Sequence, residues 1–299
     1  MSRHVVVVGS GVVGTFAAYH LARGGWRVTV LDRGAFGRGC SHANCGYVCP
    51  SHVLPLAVPG AVGATLRTLF HKNSPLKVRP ATVLANLGWF LGFARRCNKK
   101  QMLAAGAAIQ ALLNSSRQLF ADVIDAEKLD VEWETKGLLF VFRSQAGFDH
   151  YAPTDELLRD RFATPARRLD AAELMALEPA LLPGNAGGYH YEGDAHLRPD
   201  RLMSELRRVL VGLGVEVREH TPVTGFAVAN GTATAVQTAA GDVPADAVVV
   251  ATGAWTPQLN RALGARVPIL PGKGYSLTMP RPAACPRVPL IFEEHRVAV

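Results

Sequence analysis

Apolar residues in the first part of the chain fall into two short blocks. Val5-Val6-Val7-Val8 is a continuous β-branched run, the mark of a strand covered on both faces. Arg27-Val28-Thr29-Val30-Leu31 reads as a second strand. Between them, residues 15–23 have helical character and stop at Gly24-Gly25. The chain therefore opens with a strand–helix–strand unit. Further on, residues 54–72 are apolar with Pro and Gly breaks, which predicts a loop and then a short helix. From Pro80 to Lys100, Leu84, Leu87, Trp89, Phe90, Leu91 and Phe93 precede Arg95, Arg96, Lys99 and Lys100. This predicts an amphipathic helix with cations at its C-terminal end, where the helix dipole favours them. A basic, aromatic helix of this kind also suits a membrane surface. A long helix is expected over 101–128.

The remaining pattern alternates strands and helices. Strands are expected at 137–142, 187–191, 215–218, 223–229 and 232–238, with Asn230-Gly231 as a hairpin turn between the last two. Helices are expected at 149–162, at 171–178 and from Pro199 to Leu213. The second is entered from Asp170, with Glu173 at capping-box spacing. Residues 246–251 form another buried strand, running into Ala251-Thr252-Gly253 and a helix over 256–263. Strands at 274–279, 290–293 and 296–299 close the chain.

The first strand runs directly into Gly9-Ser10-Gly11-Val12-Val13-Gly14, a G-x-G-x-x-G sequence at the start of a helix. Gly9 permits the tight turn, Gly11 lets backbone approach a pyrophosphate, and Gly14 lets the helix pack on the strand. The helix start offers N–H groups to phosphate oxygens. Asp32 closes the second strand, where a carboxylate can accept a hydrogen bond from ribose. Strand, glycines, helix, strand and acid in this order predict a dinucleotide site. They do not separate FAD from NAD. Ala251-Thr252-Gly253 predicts a second small-residue turn beside the first, at the carboxyl ends of parallel strands.

Composition narrows the classes. The 299 residues are 48% hydrophobic and 19% charged, which excludes a disordered chain. No apolar run reaches the roughly 18 residues of a membrane span, and the first nine residues make a poor signal peptide. The net charge of +8 admits an anionic partner without naming one. No aromatic–basic platform or finger points to nucleic acid. Cys40, Cys45 and Cys49 cluster without a CxxC pair, so no metal site is expected.

Taken together, Gly9 to Gly14, Asp32-Arg33, residues 41–48 (Ser-His-Ala-Asn-Cys-Gly-Tyr-Val), 194–199 (Asp-Ala-His-Leu-Arg-Pro), 251–255 (Ala-Thr-Gly-Ala-Trp) and 271–276 (Pro-Gly-Lys-Gly-Tyr-Ser) resemble signatures of the D-amino-acid oxidase flavoproteins. The likeness is strongest to the FAD-dependent D-amino-acid dehydrogenase (small subunit) branch. Cys45 departs from the family's usual Ala. The resemblance also implies a longer chain, so this one reads as truncated at its C-terminus.

The implied fold is α/β: a Rossmann-like FAD-binding parallel sheet interleaved with a second α+β substrate domain containing a mixed sheet. The FAD part would take residues 1–50 and 192–265, and the substrate part 51–191 and 266–299. In that mixed sheet the strands at 137–142, 187–191, 274–279, 290–293 and 296–299 would lie together. The resemblance implies FAD as cofactor and hydride transfer from the Cα of a D-amino acid to flavin N5. The resulting imino acid would give a 2-oxo acid and ammonia, with a quinone or other carrier taking the electrons. This is amino acid catabolism. Alternatives are an oxygen-using oxidase of glycine, sarcosine or hydroxyproline, an NAD-dependent dehydrogenase, and a non-catalytic truncated flavoprotein. The implied location is cytoplasmic, with peripheral contact at the inner membrane face as the alternative.

The expected roles follow the same resemblance. Ser10, Gly11, Val12 and Val13 would present backbone to the pyrophosphate, with Gly9 and Gly14 shaping the turn. Asp32 would take the ribose, and Arg33 and Val223 would sit by the adenine. Ser41, Asn44, Cys45, Gly46 and Tyr47 would line the flavin, and Thr252 and Gly253 would close the pocket. Lys273 and Tyr275 are the catalytic candidates on the substrate side.

Overall fold

The computed structural model describes residues 3–69 and 78–299. Expectations for residues 70–77 lie outside the described residues. The chain divides into two compact units: residues 1–46, 124–131 and 198–278, and residues 47–123, 132–197 and 279–299. Residues 124–131 and 266–278 thus group with the first unit.

The first unit is built on a four-stranded parallel sheet. Its order is Ala247–Val250, His4–Val8, Arg27–Leu31 and Glu216–Arg218. Val5 pairs with Val28 on one side and Ala247 on the other. Val5, Val6, Val7 and Val8 are all buried, as a strand with neighbours on both edges and both faces requires. The helix Val12–Arg23 follows the first strand. The helix Pro199–Gly212 buries Leu202, Met203, Leu206, Val209 and Leu210, the 3–4 spacing of an apolar stripe. A second, antiparallel sheet joins Gly241–Pro244, Thr232–Thr238 and Val223–Ala229. Its tight turn puts Asn230 at φ +52° and Gly231 at +74°, the left-handed pair a two-residue hairpin demands. Val236 and Val243 pack with Val6, Val8 and Leu31, so the two sheets share one core.

The second unit holds a five-stranded mixed sheet ordered Val297–Ala298, Leu290–Phe292, Leu138–Phe142, Gly187–Tyr191 and Arg167–Asp170. Leu290–Phe292 runs parallel to Leu138–Phe142, and the other pairs are antiparallel. The pleat sorts side chains by parity. Leu138, Phe140 and Phe142 pack with Phe148, Tyr189 and Tyr191 on one face. Leu139 and Val141 pack with Leu169, Leu174 and Leu290 on the other. Asp170 caps the helix Ala171–Leu177, accepting from the Ala172 and Glu173 amides while Glu173 returns to the Asp170 amide.

Three expectations need correction. No strand forms over 274–279; the segment is irregular, and Tyr275 and Leu277 are 90% and 84% exposed. Arg167–Asp170 occupies a sheet edge instead. The single amphipathic helix from Pro80 breaks at Asn86 into Pro80–Ala85 and Leu87–Arg96, followed by Lys99–Ala126. The helix after Gly253 is a 3-10 stretch, Gly253–Leu259, with only Asn260–Leu263 truly α-helical.

Candidate functional site

In the first unit, the carboxyl ends of His4–Val8, Arg27–Leu31 and Ala247–Val250 open into a cavity of about 800 Å³. Open parallel sheets bind ligands at this edge. Three turns make the walls. The first, Gly9 to Val13, leaves the leading strand. Gly9 sits at φ +106°, and its amide donates to Leu31 O at 2.8 Å. Any side chain there would be strained, and a Cβ would approach Ala251 O to 2.5 Å. A Cβ on Gly14 would come to 1.9 Å from Gly9 O. The turn and the helix behind it thus fit only with these glycines. The N-cap residue, Gly11, has no side chain to cap the helix, the first turn holds no acid, and Val13 is 70% exposed. Its positive end faces the cavity, ready for an anion.

The second turn carries Asp32. Its Oδ2 accepts from the Ser10 amide at 2.8 Å and the Ser10 hydroxyl at 2.7 Å, and its Oδ1 from the Gly34 amide at 2.9 Å. Ser10 is fully buried, and its Oγ accepts in turn from the Gly37 amide. Ser10 therefore commits its N–H to the acid rather than offering it to a ligand. A carboxylate has about four lone-pair sites, so one on Oδ1 is left for a ligand hydroxyl. Asp32→Asn is expected to cost about 1–3 kcal/mol in dinucleotide-free protein, because an amide cannot accept at both ends. Thermal melts of that protein check it; an unchanged melting temperature would mean the Ser10 contacts contribute nothing.

The third turn holds Thr252 and Gly253, the latter at φ +54°. Thr252 Oγ1 lies 3.0 Å from Thr256 Oγ1. Trp255 follows, and the Arg33 guanidinium stacks on it at 4.0 Å from the ring centroid. This planar pair on the cavity wall is a platform for a flat ring, and sequence reasoning assigned Trp255 no role. Ser41 also lines the cavity, its Oγ accepting from the Val12 amide at 2.9 Å. A ligand phosphate would compete with that hydroxyl for the N–H.

Of the expected cofactor residues, Gly9, Gly11, Val12, Val13, Asp32, Arg33, Ser41, Val223, Thr252 and Gly253 line the cavity. Ser10 and Gly14 lie behind it. Asn44 folds onto its own loop, donating to Cys40 O and Ser41 O and accepting from the Gly46 amide. Cys45 is exposed, and the protein around its sulfur pushes the thiol pKa up, which lowers its thiolate fraction. Tyr47 belongs to the second unit, where its hydroxyl donates to Leu290 O and Val299 O. Lys273 and Tyr275 lie outside the cavity on the irregular segment, with Lys273 Nζ 5.0 Å from the Tyr275 ring centroid.

Residues 4–298 match the family described as DAO, FAD dependent oxidoreductase. A D-amino acid dehydrogenase of Cereibacter sphaeroides is 36% identical, over 92% of this chain and 64% of that protein. One from Methylobacterium radiotolerans is 35% identical, over 99% of this chain and 72% of that protein. The chain thus spans somewhat under two thirds of the length of the Cereibacter relative. Among solved structures, glycine oxidase from Bacillus cereus superposes with a TM-score of 0.60 at 18% identity, covering 87% of this chain and 58% of that one. L-proline dehydrogenase from P. horikoshii superposes at 0.59 and 18% identity, covering 88% and 56%. These two likenesses concern the fold.

Proposed function

Because this chain belongs to the DAO family of FAD-dependent oxidoreductases, with FAD as its cofactor, we propose that it acts in the oxidative deamination of D-amino acids. The observation that carries this reading is the glycine-shaped cavity with Asp32 at its edge, in a chain whose relatives are D-amino acid dehydrogenases. In this reading the first unit is the FAD-binding domain and the second the substrate domain. The amides of Gly11, Val12 and Val13 face the diphosphate. Asp32 takes a ribose hydroxyl on its remaining lone pair. Arg33, on Trp255, and Val223 flank the adenine, and Thr252 and Gly253 close the pocket. Ser41, Asn44, Cys45 and Gly46 approach the flavin, and Lys273 and Tyr275 serve the substrate.

The chemistry FAD supplies is acceptance of a hydride from substrate Cα, after which the imino acid hydrolyses to a 2-oxo acid and ammonia. The chain's part is to bind, orient and exclude water, which requires no protein nucleophile. Anaerobic mixing of the flavin-loaded protein with D- or L-amino acids tests the reading. Loss of the visible flavin absorption with D-enantiomers alone is expected. No loss with any D-amino acid would overturn it, and peroxide release in air would turn the acceptor from a quinone to oxygen.

A lipid surface fits the second unit. Residues 33–121 contain no Asp or Glu. Leu87 and Leu91, one turn apart, are each about half exposed on the helix Leu87–Arg96, followed by exposed Arg95, Arg96, Lys99 and Lys100. Apolar side chains beside unopposed cations suit an anionic interface, where each Lys or Arg contributes about 1 kcal/mol. Among the described residues no helix is long and apolar enough to cross a membrane. Flotation should recover the protein with anionic vesicles and several-fold less with zwitterionic ones, and Leu87→Glu/Leu91→Glu should abolish the difference. Equal recovery with both vesicle types would remove this partner.

A further inference from the structure

The second unit carries a side-chain cluster that the deamination chemistry does not use. The two-residue strand Tyr47–Val48 pairs antiparallel with Ala195–His196, Val48 opposite Ala195. This pairing brings the turn Cys49-Pro50-Ser51-His52 against Asp194. The His52 amide donates to Cys49 O at 3.2 Å and the Val53 amide to Ser51 O at 2.9 Å, so Cys49 and His52 are held across one tight turn. Val53 is fully buried and anchors it. The Cys49 sulfur, a His52 ring nitrogen and an Asp194 carboxylate oxygen all lie within 4.8 Å of one another.

The environment of the three is that of a built site. Cys49 is buried, and Asp194 is 1% exposed. The Ser51 amide donates to Asp194 Oδ1 at 3.0 Å and the Ser51 hydroxyl to Oδ2 at 2.5 Å. Those two bonds fix the plane of the carboxylate, as second-sphere partners of a ligating carboxylate do. His52 is exposed and gives solvent a path to the cluster. A buried carboxylate is costly unless a positive charge or strong donors compensate it. Ser51 supplies two donors and the Cys49 thiol a third, and none of the three carries a charge.

We propose that Cys49, His52 and Asp194 form a three-ligand site for a divalent cation of the zinc class. Thiolate, imidazole and carboxylate together are a borderline-soft donor set that suits zinc better than magnesium or calcium. A tetrahedral zinc ion holds its ligand atoms roughly 3.3–3.8 Å apart, so closing the cluster takes an adjustment of no more than about 1.5 Å, within reach of side-chain rotation. On binding, the Cys49 S–H proton leaves to solvent as the sulfur–zinc bond forms. His52 and Asp194 donate lone pairs, and the fourth position faces solvent. The site is independent of the deamination reading.

The test uses zinc and cobalt salts on the purified 299-residue chain. After gel filtration in metal-free buffer, elemental analysis should find one zinc per chain. Cobalt loading should add a near-ultraviolet thiolate-to-cobalt absorption. Cys49→Ser should remove both signals, and His52→Ala, at an exposed position, should weaken retention at least about tenfold. Zinc should also protect Cys49, among the five cysteines, from alkylation read by peptide mass spectrometry, which needs no variant. No stoichiometric metal, zinc held equally by the two variants, or no protection of Cys49 would each overturn the site.

Discussion

Gly14→Ala should leave a chain that retains no FAD and is less stable by about 3 kcal/mol. The added methyl carbon would come to 1.9 Å from Gly9 O and 3.2 Å from Ala251 Cβ. Neither contact can be relieved by a side-chain rotation, because the first is to backbone. The helix Val12–Arg23 would have to slide off the leading strand, and the same movement would spread the turn that forms the cavity wall. Affinity for FAD should fall more than about tenfold, which is only 1.4 kcal/mol. Gly212→Ala, away from the cavity lining, is the control, since a Cβ there meets nothing within 4 Å. Denaturant unfolding gives the first quantity and flavin absorbance after gel filtration the second. A Gly14→Ala protein that keeps its flavin would mean that the helix and strand are not in this contact.

Glu178→Ala should cost about 3–5 kcal/mol in the second unit. Glu178 is fully buried, and its carboxylate accepts from a knot of backbone donors. Oε2 accepts from the Arg287 amide at 2.5 Å and the Val288 amide at 3.0 Å, and Oε1 from the Ala180 amide at 3.1 Å. Truncation leaves three N–H groups without an acceptor where water has little access. It also frees the segment that leads into Leu290–Phe292. Glu178→Gln keeps one oxygen and should lose about half as much. Equal, small losses in both variants, read by urea unfolding, would show that the amides find water instead.

Much of this architecture is written locally, and the exceptions share a cause. The Val5–Val8 run, the glycines after it, the Asn230-Gly231 turn and the Asp170–Glu173 cap each need only neighbours within a few residues to state their conformation. Arg167–Asp170 does not. One apolar residue, Leu169, is buried among two exposed arginines and an exposed acid, and only pairing with Gly187–His190 makes it a strand. The converse holds at 274–279, where Tyr275, Leu277 and Met279 alternate as in a strand yet all are exposed. Alternation is a permit for pairing and cannot supply the partner. In the cavity, residue types and spacing point to Asp32 and the glycines. That Ser10 faces the acid, and that Arg33 lies on Trp255, depends on contacts across 22 and more positions. The Cys49–His52–Asp194 cluster is hidden for the same reason: its third member comes from beyond position 190.

The bonds between Ser10, Asp32 and Gly37 have a kinetic corollary. They are made as the polypeptide folds, so this corner is finished before any nucleotide arrives, and the entropic cost of fixing it is met in advance. Uptake by empty protein should then be limited by encounter alone. The observed rate would climb in proportion to nucleotide concentration, without the plateau that a slow rearrangement imposes.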